Sequence, residues 1–378
     1  MTTPEIGGVC PPSFEAVRAA FSSNFEEGAE LGARYSLAID GEIVVDLWAG
    51  WADHAQTKPF DDRTLTPVFS TTKAVAALMV ARMVGQRRLA YDQRISEVWP
   101  AFGQAGKEHI TVEQALSHQA GLCGLPEPMD PALWLDWDAI CGKLAAMAPL
   151  WPLGSASGYH PVTFGYLAGE IFRRVDGRTI GTALAQDVVG PLGLDLWIGL
   201  PQSEDHRLAE VRRPPAMPDL GQITEPRRLA FLTKWASPDG RGSVAWRRAE
   251  IPSVNGHATA EALARLMAAM ACDGAMGGRT RVLAPGAAGH AARERIVGPD
   301  LVLPRVMNWG AGFMRSAGSG LYGPGAQTVG HSGWGGSCAF ADPEQRLSGA
   351  YVMNRQSATL IDDPRARRLI HASYASIG

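Results

Sequence analysis

The chain has 378 residues, 46% hydrophobic and 19% charged, an ordinary globular balance with ample material for a buried core. A formal net charge of -3 gives no electrostatic basis for binding nucleic acid or an anionic membrane. No stretch approaches the roughly 20 apolar residues needed to cross a bilayer. Residues 1–12 have neither the positive cluster nor the apolar run of a secretory signal. The five cysteines (Cys10, Cys123, Cys141, Cys272 and Cys338) form neither a Cys-x-x-Cys pair nor a disulfide framework, so buried, reduced thiols and a cytoplasmic address are expected.

Residues 14–27 have apolar side chains at helical spacing. Residues 35–39 and 43–48 alternate as strands around Asp40-Gly41, two residues that tolerate positive φ, which predicts a hairpin. Residues 64–70 read as a short turn opening onto an apolar helix over 74–83. From about 85 to 210 the pattern is mainly helical: a short helix capped by Thr111 and running to His118, then helices over 133–147, 163–174 and 180–189. Residues 207–256 are rich in Pro, Arg and Gly and read as a loop excursion over the surface. An amphipathic helix over 259–272 follows, then strands over 310–315, 327–331, 337–342 and 347–354, and a closing helix over 364–376. Strands, a helical block, then strands again predict an α+β fold. Its antiparallel sheet would come from both chain ends, residues 1–84 and 211–378, with helices on its flanks. A helical domain, 85–210, would be inserted, and a cleft would lie between the two.

Three segments carry residues suited to chemistry. Ser70-Thr71-Thr72-Lys73 places a hydroxyl and an amine on one face of a helix. The bare pair also fits a serine cap followed by a solvated lysine. The apolar run over 74–80 instead predicts burial, which disfavours the ammonium form and yields a base near neutrality; the helix dipole would favour an alkoxide at Ser70. Tyr159 follows the Gly-rich loop 151–158, where its hydroxyl could relay a proton or its ring could simply pack. Gly330-His331-Ser332-Gly333-Trp334-Gly335-Gly336 lets backbone approach a substrate and aim an N–H at an oxyanion, or makes a bulge.

In this order the segments resemble the serine β-lactamase and penicillin-binding-protein superfamily, and more closely its esterase branch, the family VIII carboxylesterases. Ile110 to Leu122, Gly165 to Glu170, Gly190 to Leu194 and Asn255 to Thr259 extend the likeness over about residues 15–375. The resemblance implies that Ser70 is acylated and that Lys73 and Tyr159 share general-base and general-acid duties. It implies an oxyanion hole from the backbone N–H groups of Ser70 and Trp334. Substrate contacts would come from His160, His331, Ser332, Gly333 and Trp334. It implies small-molecule ester or β-lactam-like substrates and neither metal nor cofactor, and it leaves the oligomeric state open.

Two departures bear on substrate. Tyr159-His160-Pro161 stands where β-lactamases of the superfamily carry Tyr-x-Asn, and His331 stands where they carry a lysine that holds the substrate carboxylate. A histidine is mostly neutral at pH 7 unless its pKa is raised. Both changes favour uncharged esters over β-lactams. A β-lactamase, a D-alanyl carboxypeptidase-like enzyme, a non-catalytic penicillin-binding sensor and an acyltransferase remain alternatives. No Gly-x-Ser-x-Gly elbow of the α/β-hydrolases is present. Trp134, Trp137, Trp151 and Trp334 could line an acyl pocket, or, for the first two especially, pack in the core.

Overall fold

The computed structural model, which describes residues 4–237, 242–277 and 280–377, is built on a nine-stranded antiparallel sheet. In chain order its strands are β1 (Gly7–Val9), β2 (Gly32–Ile39), β3 (Glu42–Gly50), β4 (Ile296–Pro299), β5 (Val306–Trp309), β6 (Met314–Arg315), β7 (Val329–Ser332), β8 (Cys338–Asp342) and β9 (Leu347–Met353). They lie in the order β1-β3-β2-β9-β8-β7-β6-β5-β4, so β9 near the end of the chain pairs with β2 near its beginning. The expected α+β class, with one antiparallel sheet drawn from both ends and flanked by helices, is the one the chain adopts. Asp40 (φ 53°) and Gly41 (φ 82°) form the predicted hairpin turn between β2 and β3.

Side chains alternate along each strand, and the alternation feeds two cores. Ala339, Ala341, Ala350 and Val352 join the core that contains the helix Ala260–Ala271. Cys338, Phe340, Tyr351 and Met353 join a second core with Phe14, Val17, Phe21, Leu369 and Ile370, from the helical segments at the two chain ends. Small residues on the first face let the Ala-rich helix lie close to the sheet.

Several expectations need revision. The 310–315 strand shrinks to Met314–Arg315, because Gly310 N–H bonds Phe313 O and Gly312 turns the chain at φ 86°. The helix expected over 133–147 breaks at Asp136, whose side chain caps a new helix, Trp137–Ala146, by accepting from Ala139 N–H. β1, β4 and β5 carried no clear alternation. A three-stranded sheet, Thr66–Phe69, Gly256–Ala258 and Leu196–Ile198 in that spatial order, was also not foreseen. It ties the segment leading into Ser70 to strands nearly 130 and 190 residues away.

The helix Thr72–Gly85 has eleven of its fourteen residues buried. Four are alanines at 74, 76, 77 and 81, which allow approach from all sides; a Cβ at Gly312 would stand 2.6 Å from that of Ala77. No helix among the described residues is long and apolar enough to cross a membrane. The five cysteines are free thiols, four of them buried and Cys10 partly so.

Candidate active site

The strand Thr66–Phe69 ends in an unusual backbone. Phe69 has φ 45°, a left-handed conformation that costs a non-glycine residue about 1–2 kcal/mol. Its ring lies against Trp246 and Trp334, at 6.4 and 6.2 Å between centroids. This reversal sets Ser70 at the mouth of the buried helix, where its side chain is half-buried.

Lys73 is completely buried. Its Nζ lies 3.0 Å from Ser70 Oγ, 2.6 Å from Pro161 O and 3.0 Å from Ser253 O. Burial holds its pKa well below the ordinary lysine value. A neutral amine has two N–H donors and one lone pair. With Nζ neutral, the two carbonyls would take its two donors and its lone pair would face the Ser70 hydroxyl. The alternative of a serine cap beside a solvated lysine is therefore excluded.

Tyr159 meets the same serine from the other side. Both residues line the same cavity, and the Tyr159 ring stacks on Trp309 at 5.9 Å with planes 3° apart. The edge of His118 closes a further side at 5.0 Å, and Lys73 Nζ is 4.9 Å from the ring centroid. Burial raises the phenol pKa, so the hydroxyl stays protonated. Gly158 is required just before it: a Cβ there would come within 2.4 Å of the Trp151 ring.

The glycine strand supplies the opposite wall. Gly333 packs so tightly that a Cβ would stand 2.2 Å from Val68 O and 2.3 Å from Ser337 Oγ. Its N–H bonds Ser337 O at 2.7 Å, and Gly335 and Gly336 continue at φ 91° and 128°. Gln356 Nε2 donates to Trp334 O and Arg365 Nη2 to Gly335 O, fixing the loop from outside.

Ser70, Tyr159, Ser332 and Trp334 line one cavity, with about 820 Å³ of empty space counting its open mouth. Three expected substrate contacts, His160, His331 and Gly333, do not line it. His160 is fully buried; its Nε2 accepts from Leu122 N–H at 3.0 Å and its Nδ1 donates to Gly158 O at 2.6 Å. Both nitrogens thus serve the loop, not a ligand. His331 is also fully buried, with Nδ1 donating to Ser332 O at 2.9 Å, and burial holds its pKa well below the ordinary value. It is neutral and lies behind the cavity wall, as does Gly333. Of the four tryptophans considered, Trp134 and Trp334 line the cavity. Trp137 instead packs on Tyr166, and Trp151 bonds Ala156 O.

The residues missed lie mainly in the 207–256 excursion. Met217, Leu220, Phe231 and Trp246 form the cavity wall together with Leu303 and Ile361, so the excursion is part of the site. Apolar residues in a Pro- and Arg-rich stretch were the available signal, but they have no period that assigns them a face. Among the described residues the lining contains hydroxyl and apolar groups and no charged side chain. No group of described His, Cys, Asp and Glu residues could hold a metal ion.

Comparison with known proteins agrees with this geometry. The beta-lactamase family model matches residues 17–372. The esterase/beta-lactamase LipL of Mycobacterium tuberculosis is 34% identical over 366 residues, covering 94% of this chain and 84% of LipL. The crystal structure of a penicillin-binding protein homolog from Caulobacter crescentus superposes with a TM-score of 0.96 at 62% identity, covering 98% of this chain and all of that one. A family VIII carboxylesterase structure gives a TM-score of 0.92 at 41% identity, with the same coverage. The match runs almost from end to end: this chain belongs to the beta-lactamase family and is a serine hydrolase.

Proposed function

We propose that the chain is a carboxylesterase acting on small, uncharged acyl esters through a Ser70 acyl-enzyme, in the cleft between residues 1–84 with 211–378 and the inserted 85–210. Lys73 Nζ takes the proton from Ser70 Oγ as the oxygen attacks the ester carbonyl. The backbone N–H groups of Ser70 and Trp334 receive the negative charge on the carbonyl oxygen. Tyr159 gives its proton to the departing alkoxide and recovers one from the Lys73 ammonium. Water then attacks the acyl-enzyme, its proton passing to the same pair, and Ser70 leaves with a proton restored. Free thiols and an absence of disulfide spacing fit a reducing, cytoplasmic setting.

The observation that carries the substrate reading is the cavity lining, free of charged side chains among the described residues. A β-lactam brings a carboxylate that would lose its hydration there without gaining a cation. His331, neutral and behind the wall, does not supply one. The neighbouring proteins described as an esterase/beta-lactamase and a family VIII carboxylesterase support the ester assignment. The test is a turnover panel of p-nitrophenyl acetate and butyrate, nitrocefin and a D-Ala-D-Ala peptide, with Ser70→Ala as control. Esters are expected to be turned over fastest and Ser70→Ala to be inactive while folded. Faster nitrocefin or peptide turnover, or ester hydrolysis by Ser70→Ala, would overturn the proposal.

A further inference from the structure

Behind Tyr159, away from the cavity, lies a buried carboxylate. Asp300 sits between β4 and β5 and is 4% exposed. Its Oδ1 accepts from the N–H groups of Tyr159, Val302 and Leu303, each at 2.9 Å. Its Oδ2 accepts from Ser157 Oγ at 2.8 Å and from Trp309 Nε1 at 3.3 Å. Among the described residues no arginine or lysine forms an ion pair with it. The bonds to Val302 and Leu303 are those of a local turn cap. The other three are not local, and all converge on Tyr159: its own backbone N–H, the Ser157 hydroxyl two residues before it, and the indole on which its ring stacks.

We propose that Asp300 is a positioning residue for Tyr159, fixing the phenol beside Ser70 from its backbone and from the Trp309 plate together. The inference rests on Tyr159 giving a proton to the leaving group. The carboxylate acts in two ways. It anchors the backbone of Tyr159, whose ring lines the same cavity as Ser70. It also adds a negative charge close to the phenol, which opposes formation of a tyrosinate. Lys73 then remains the base and Tyr159 the acid. Asp300 does not line the cavity, so its removal should slow acylation and leave substrate binding nearly intact.

Asp300→Asn tests this. The amide oxygen can keep the three backbone N–H bonds, and the amide nitrogen can donate to Ser157 Oγ but must face Trp309 Nε1–H as donor against donor. Acylation by p-nitrophenyl butyrate is expected to fall about 10- to 100-fold, with KM changed by less than about threefold. In a Tyr159→Phe background the same substitution should have almost no further effect. If it slows both backgrounds by the same factor, or neither, Asp300 is a turn cap only and the proposal is overturned. If Tyr159→Phe by itself retains near-wild-type acylation, the proton-donor reading falls and this proposal with it, a distinguishable result. Should Asp300→Asn fail to fold, Ser157→Ala and Trp309→Phe each remove one donor to Oδ2 and carry the same cycle. Slower acylation that vanishes in the Tyr159→Phe background supports the proposal, and wild-type rates in both variants overturn it.

Discussion

Lys73→Met keeps most of the apolar stem and removes the amine. Two effects on stability follow. Pro161 O and Ser253 O lose their donor, at about 1–3 kcal/mol each for a buried carbonyl, a cost that does not depend on pH. Against this, the wild-type chain must strip a proton from Lys73 to fold, since burial holds the native pKa well below 10.5. The unfolded lysine binds a proton that the native one does not, so wild-type stability gains about 1.4 kcal/mol per pH unit between the native pKa and 10.5. The methionine variant lacks this slope. The difference, wild type minus variant, should therefore rise with pH, by up to about 2.7 kcal/mol from pH 7 to 9. Urea unfolding followed by tryptophan fluorescence at pH 7, 8 and 9 measures it, all other titrating groups being common to both proteins. Esterase activity of the variant should be lower by about 10² or more throughout. Parallel stabilities across the three pH values would mean that native Lys73 keeps its proton, and it could not then accept one from Ser70.

Gly333→Ala would drive a Cβ into Val68 O and Ser337 Oγ, so activity should fall by about 10²-fold or more with a lowered Tm; an unchanged rate would remove the 333–336 loop from the oxyanion site. His331→Lys places a second amine in the buried field of Lys73. Lower stability and no gain on carboxylate-bearing esters are expected, whereas improved turnover of such esters would return residue 331 to the cavity. Phe231→Ala opens the cavity wall, and each methylene newly accommodated is worth about 0.8 kcal/mol. The optimum in a p-nitrophenyl ester series should shift to longer acyl chains, and an unchanged optimum would show that the acyl group lies elsewhere.

How much of this was legible in the sequence depended on the kind of signal. The hairpin at Asp40-Gly41 was plain because turn chemistry and alternation agree locally. Ser70 and Lys73 were visible through a helix too apolar to expose a lysine. β4 and β5 were not, because short strands at one end of the sheet, with solvent-facing Val297 and Val306, have no clear period. His160 misled for a related reason: next to a tyrosine in a loop it looks like a ligand contact, yet it is consumed by the backbone bonds that hold the loop closed. Asp300 stands about 140 residues from the tyrosine it supports, so only the fold reveals the pairing.

The burial of the Ser70 helix has a consequence for how this molecule can fail. A helix with almost no water-facing side can exchange its amide hydrogens only when the surrounding core opens, so residues 74–81 should be among the last to exchange. The cavity wall is different, with Met217 60% exposed. Mild warming or dilute denaturant should therefore loosen selectivity for the acyl group before it disturbs the serine and its lysine, leaving an enzyme that is less discriminating but still able to be acylated.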